Sequence, residues 1–226
     1  MYSSIRAEAR WRLGGNWGMA ILVTFVAGLL GALSGSTNLE IDADILQRLP
    51  KAVQHYLNIA ITIGAILGVI QFFIGGVIDL GYRTYLLKLH DNEDAQLRDL
   101  FSQFDRFGDG FVLRLLTSIF TFLWTLLFII PGIIATLRYA MAPYILAEHP
   151  EMTPMQALDH SKYLMDGKKL DLFLLELSFI GWAFLCGLTL GIGNLWLNPY
   201  MHMSITVFYR RLAPKPVKEP PVIDMM

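Results

Sequence analysis

Charge is what this sequence has least of. Only 16 % of its 226 residues are Asp, Glu, Lys or Arg, while 54 % are hydrophobic; soluble domains carry about 25 % charged residues. Too few charges remain to solvate the surface of a water-soluble globule. The shortage is also local, because residues 13–39, 56–78, 115–137 and 177–209 contain no Asp, Glu, Lys or Arg at all. Cysteine is almost missing: Cys186 is the single one, which excludes an internal disulfide. A net charge of −1 excludes a strongly basic nucleic-acid binder. Signatures of chemistry are missing too. There is no HExxH, no CxxC, and no Lys-Ser/Thr after Gly75-Gly76 to make a phosphate loop. Glu148, His149, Glu151, Asp159 and His160 are metal-type ligands without a recognised spacing. The expectation is therefore no enzyme, no cofactor, no metal and no nucleic-acid partner.

What is present is a polytopic membrane pattern. A run of roughly 18 apolar residues spans a hydrocarbon core about 30 Å thick. The first run follows Arg6, Arg10 and Arg12, as in a signal peptide, but exceeds the usual 7–15-residue apolar region, so it reads as an uncleaved first helix. Leu115–Ala147 as one helix would be about 50 Å long, and Pro131-Gly132 divides it. Glycines between Gly187 and Asn194 divide the last run. The expected fold is all-α, with about six spans near 17–35, 57–79, 114–130, 133–147, 171–187 and 192–209. With both ends inside, the inner segments hold fifteen of the 18 Lys and Arg, the outer loop 36–56 holds Arg48 and Lys51, and Arg138 lies within a span. The excess of cations inside puts both termini in the cytoplasm of a protein of the cell membrane. Residues 1–212 form a single integral-membrane domain. The tail 213–226, with four prolines, reads as disordered and cytoplasmic.

A repeat runs through this layout. Ala9–Trp17 aligns without gaps on Ser161–Lys169, Gly15 falling on Gly167, and each glycine is followed by a span. Leu97, Leu100, Phe101 and Phe104, ahead of Gly108 and Gly110, match more loosely; their 3–4 spacing predicts one apolar stripe on a helix. Thr153-Pro154 reads as N-cap and first residue of another. The expected unit is an amphipathic helix on the inner leaflet, a glycine elbow and a hairpin, used three times. Pro143-Tyr144 and Pro199-Tyr200 recur on two returning helices, and each proline would leave a carbonyl free near Tyr139 or Leu195.

With these residues in order, the chain resembles a bacterial integral-membrane family known as a domain of unknown function. The resemblance rests on Leu13-Gly-Gly-Asn-Trp17, Asp99-Leu-Phe101 with Phe104, Ile130-Pro-Gly-Ile133 and Met141–Ala147. It continues through Ala157 with Ser161, Leu164 and Gly167, then Leu177–Trp182, Leu188–Gly193 and Pro199-Tyr200. The chain is also distantly similar to the membrane domain of some bacterial glycerophosphodiester phosphodiesterases. The resemblance implies location and architecture and transfers no active site.

Ionisable groups inside a bilayer are costly and are functional candidates by default. Three fall within the expected spans: Arg138, Glu176 and His202. Glu176 and His202 sit about 8 and 10 Å from the inner ends of their helices, a depth that allows a Glu–His hydrogen bond. The plainer reading is a Glu176 wet at the interface and a neutral His202 packed among Tyr200, Met201 and Met203. Arg138 is expected about 8 Å from the outer end of its span, facing an outer-leaflet headgroup or a polar cavity. Two functions follow. One is a scaffold or accessory protein engaging membrane lipids, or a protein partner at the cytoplasmic face, through inner-leaflet helices. The other is a small transporter or lipid-handling protein with a polar cavity between hairpins.

Overall fold

The computed structural model describes residues 2–31, 50–189 and 191–215. Most of the outer loop 36–56 and residues 216–226 of the tail lie outside the described residues. Among those described there are ten α-helices and no strand: α1 (Tyr2–Leu13), α2 (Trp17–Leu29), α3 (Lys51–His90), α4 (Phe107–Leu127), α5 (Ile129–Tyr139), α6 (Ala142–Glu148), α7 (Pro154–Leu164), α8 (Lys169–Leu177), α9 (Ile180–Leu188) and α10 (Asn194–Leu212). The all-α expectation holds.

Two of the three repeat units are built alike. Ile5, Ala9 and Leu13 form the buried stripe of α1, and Ala157, Ser161 and Met165 form that of α7 and its cap. Each stripe keeps the four-residue step that lines up one helix face. Gly15 (φ 81°) and Gly167 (φ 67°) then turn the chain, in a conformation that costs a residue with a Cβ about 1–2 kcal/mol. The turns share their backbone bonds. Gly14 N–H reaches the Trp11 carbonyl at 3.0 Å and Asn16 that of Leu13 at 2.9 Å; their counterparts are Asp166 to Tyr163 at 3.2 Å and Lys168 to Met165 at 3.2 Å. As expected, Thr153 caps α7: its hydroxyl accepts from Gln156 N–H at 3.4 Å, the Gln156 side chain accepts from Thr153 N–H at 2.8 Å, and Pro154 opens the helix.

The middle unit departs from the pattern. Leu97–Phe101 and Phe104–Arg106 are two short 3₁₀ turns rather than one amphipathic helix. Gly108 and Gly110 lie inside α4 and form no elbow. Gly110 has a packing task instead, for a Cβ there would stand 2.9 Å from the carbonyl carbon of Gly76 in α3.

Helix ends shift for stated reasons. α3 is 40 residues long, about 60 Å, where a span of 57–79 was expected. Its charges do not end it because Asp79 and Arg83 pair one turn apart at 3.0 Å, and Lys88 reaches Asp99 at 2.6 Å. The tip between α4 and α5 is Phe128, in extended backbone (φ −163°, ψ 154°), not Pro131-Gly132. Pro131 falls in the first turn of α5, where its missing N–H has no helical acceptor to lose. Pro143 likewise lies in the first turn of α6, where it removes no hydrogen bond of that helix. Pro199 does lie inside α10.

Burial divides the molecule into two zones. One end is a packed core of the second half of α3, α6, α7 and the later turns of α10, with Tyr82, Tyr85, Tyr144, Phe208 and Tyr209 fully buried. The other end turns its large apolar side chains outward, from Ile59 to Phe73, Phe122 to Ile134 and Ile180 to Trp196. So large an exposed apolar surface suits hydrocarbon rather than water. Four helical stretches among the described residues are long and apolar enough to cross a membrane: Val53–His90, Leu97–Leu127, Ile129–Glu148 and Lys169–Leu188. Four of the six expected spans fall in these stretches. The two left over are α2, apolar but with only 13 residues, and α10, diluted by Asn198, His202 and two arginines.

Candidate functional site

Arg83 lies at the centre of the packed end. One Nη1 atom donates to the Tyr144 hydroxyl at 3.0 Å and stands 3.2 Å from His202 Nδ1. Nη2 lies 3.0 Å from Asp79 Oδ1 in ion-pair contact, off the axis of a hydrogen bond. The guanidinium also sits over the Tyr144 ring at 4.8 Å. A guanidinium only donates, so His202 presents an unprotonated Nδ1 and is the neutral imidazole. Its ring meets Tyr82 edge-on at 5.4 Å, and the Tyr82 hydroxyl shares a 3.0 Å hydrogen bond with Thr24. Residues of α2, α3, α6 and α10 are thereby joined in one buried network.

The network continues to the end of the bundle. Tyr144 stacks on Tyr209 at 5.2 Å, and the Tyr209 hydroxyl donates to Glu148 at 2.8 Å. Arg210 donates to Glu148 at 2.6 Å and to both oxygens of Asp91 at 3.1 and 2.7 Å. Lys215 adds a bond to Asp91 at 3.1 Å. Burial by itself would raise the Asp91 carboxyl, but its bonds from His90, Lys215 and Arg210 and the Arg210 charge push it down to about 2. Glu8 is also held below its ordinary value, because the Arg211 contact at 2.8 Å outweighs burial. The ion pairs hold the helix ends together, while Asp79 Oδ1, Arg83 Nε, the Tyr85 hydroxyl and His90 Nε2 are buried without a hydrogen-bond partner among the described residues. Arg210 thus clamps the ends of α3, α6 and α10 together.

The three residues singled out from sequence do not converge. His202 belongs to the Arg83 network and makes no bond to Glu176. Glu176 is exposed on α8. Arg138 is half-buried and lines a cavity of about 280 Å³ with Trp124, Pro131, Ile134 and Ala135. Its backbone carbonyl accepts a hydrogen bond from Ser161 at 2.9 Å, and Lys162 lies 5.9 Å from the Tyr139 ring. Arg138 therefore shares a level with the last turn of α7. Asp79 and Arg83 were missed in the sequence because they fall at the charged edge of a run, although their i, i+4 spacing signals a pair. Asp79 also opens on a second cavity, of about 290 Å³, with Arg114, Thr117 and Ser118. Among the described residues no three His, Cys, Asp or Glu are grouped to hold a metal.

Fold and site together define a class: an all-helical chain with four apolar helices of membrane-crossing length, clamped at one end by a buried polar network. Over residues 1–136 and 125–215 the chain matches the model of a family described as proteins of unknown function, DUF975. It belongs to that family. No curated protein and no solved structure matches the chain, and similarity to a glycerophosphodiester phosphodiesterase is not among the findings.

Proposed function

We propose that this is a scaffold or accessory protein of the cell membrane, crossing it six times with both termini in the cytoplasm. On this reading it engages lipid, or a protein partner at the cytoplasmic face, through the segments that precede its hairpins. One observation carries it. Each of the three segments turns aromatic side chains outward beside cations: Trp11, 68 % exposed, with Arg10 and Arg12; Phe101 and Phe104 with Arg98; and Tyr163, 78 % exposed, with Lys162. Aromatic rings next to Lys and Arg are what a membrane interface selects. The Arg210 clamp supports the same reading, since it fixes the ends of three helices against one another.

The cavity at Asp79, Arg114, Thr117 and Ser118 favours the second reading, a small transporter or lipid-handling protein. Purification in mild detergent followed by mass spectrometry of retained proteins and lipids tests the first, with flux of labelled solutes in proteoliposomes as the contrary arm. A retained partner without flux is expected. Solute flux that is lost in Asp79→Asn overturns the scaffold reading.

A further inference from the structure

A groove runs between α9, the first turns of α10 and the elbow joining α1 to α2. Trp17, Trp182 and Trp196 line it with Leu185 and Tyr200, around a cavity of about 360 Å³. Its wall is nearly all apolar, yet one end is closed by Arg10, whose guanidinium lies 5.9 Å from the Tyr200 ring centroid. Arg6, one helical turn earlier, lies 6.0 Å over Phe179 and donates to the Ser178 carbonyl at 3.3 Å. Its Nε is buried with no hydrogen-bond partner among the described residues. Glu8 is engaged with Arg211 at 2.8 Å and Asp171 with the Tyr2 hydroxyl at 3.4 Å, and Glu176, the other acid of α8, pairs with neither arginine. Two guanidinium groups without a carboxylate therefore stand at the end of an apolar slot.

We propose that this groove holds one acyl chain of an anionic phospholipid, with the phosphate bound by Arg10 and Arg6. The dimensions agree. From Tyr200 to Gly193 the groove runs about 10 Å at 1.5 Å per residue, within a leaflet about 15 Å deep, half the hydrocarbon core. Guanidinium groups match phosphate oxygens in pairs, and tryptophans suit the boundary between headgroup and chain. A free anion would have no use for the apolar wall. A zwitterionic headgroup would bring its own cation towards Arg6 and Arg10, so the charge favours an anionic lipid. This names the lipid for the lipid-engaging reading above and rests on it.

Three of the five tryptophans line the groove, so replacing the exposed Trp11 and Trp124 by Phe leaves only groove reporters. This variant is placed in phosphatidylcholine vesicles containing a minor fraction of either brominated phosphatidylglycerol or brominated phosphatidylcholine, and tryptophan quenching is compared at equal fractions. Excess quenching by the phosphatidylglycerol is expected, lost when Arg6→Gln and Arg10→Gln are added. Should those substitutions prevent folding, raising the salt on the parent variant decides, because screening weakens a phosphate contact at the interface and the excess should fall. Equal quenching by the two lipids, or an excess indifferent to salt or to the loss of both arginines, overturns the site. Flux and partner retention are read on separate samples. A groove without lipid would leave the scaffold reading standing, and a measured flux would remove that reading while leaving the groove.

Discussion

Arg210, near the end of α10, grips Asp91, the first residue after α3, with two hydrogen bonds of 3.1 and 2.7 Å across 119 residues of sequence. The same guanidinium holds Glu148 at the end of α6, so three helices finish on one side chain. Asp91 titrates at about 2 in the folded protein and near 3.9 when unfolded. A depressed carboxyl contributes stability that is complete above about pH 4 and is lost as the pH falls from there towards 2. Asp91→Asn removes this contribution and strips Arg210 of one partner. Breaking a buried pair from one side costs about 3 kcal/mol, so the melting temperature in detergent at neutral pH should drop by several degrees. The variant should also lose this part of the acid dependence. A melting temperature equal to that of the wild type would show that the clamp does not hold the bundle.

Gly76 and Gly110 let α3 and α4 touch backbone to backbone, with a Cβ on either meeting the other's main chain. Gly110→Ala should destabilise by about 1–3 kcal/mol, the cost of overpacking. Gly68→Ala, where nothing described lies within 4 Å, should be neutral or gain up to about 1 kcal/mol from helix propensity. Thermal melts of the two variants side by side give the contrast, and similar effects at both positions would contradict the packing.

The two elbows make a matched pair. Gly15→Ala and Gly167→Ala should each cost about 1–2 kcal/mol, because both positions need positive φ and neither is crowded. Gly108→Ala, inside α4 and also uncrowded, should cost nothing. The measurement is again the unfolding midpoint in detergent. A Gly108 penalty matching the other two would restore the third copy of the unit.

Helix content, the elbows at Gly15 and Gly167 and the Thr153 cap were legible because each rests on local chemistry. Apolar runs, a positive-φ glycine and a Thr–Gln box all act within a few residues. The length of α3 was not legible, because whether Asp79 and Arg83 end a helix depends on Tyr144 and His202, which lie 61 and 119 residues from Arg83. Gln71 ties α3 to α2, its amide reaching the Leu29 carbonyl at 2.7 Å. The possible Glu176–His202 hydrogen bond is not made, for the opposite reason. Depth along a helix gives no rotation about it, and rotation decided that His202 faces Arg83 while Glu176 faces outward. The groove at Arg10 joins residues from the two ends of the chain, a proximity that no run or spacing encodes.

The remaining prediction joins topology to Arg138. With Cys186→Ser as background, cysteines at Phe128 and Gly191, on the hairpin ends, should react with an impermeant maleimide added outside intact cells. Cysteines at Lys88 and Lys168 should react only after permeabilisation, as the fifteen-to-two distribution of cations requires. Arg138 is the discriminating position. Its carbonyl is bound by Ser161 and its neighbour Tyr139 lies under Lys162, so Arg138→Cys should follow Lys162→Cys and react from the inner side. Its guanidinium has no hydrogen bond or ion pair among the described residues. Arg138→Leu should therefore fold as well as the wild type, since no such bond is lost. Labelling of position 168 from outside would sink the six-pass arrangement. Labelling of 138 from outside while 162 stays protected would show that the Ser161 bond does not set the level of Arg138.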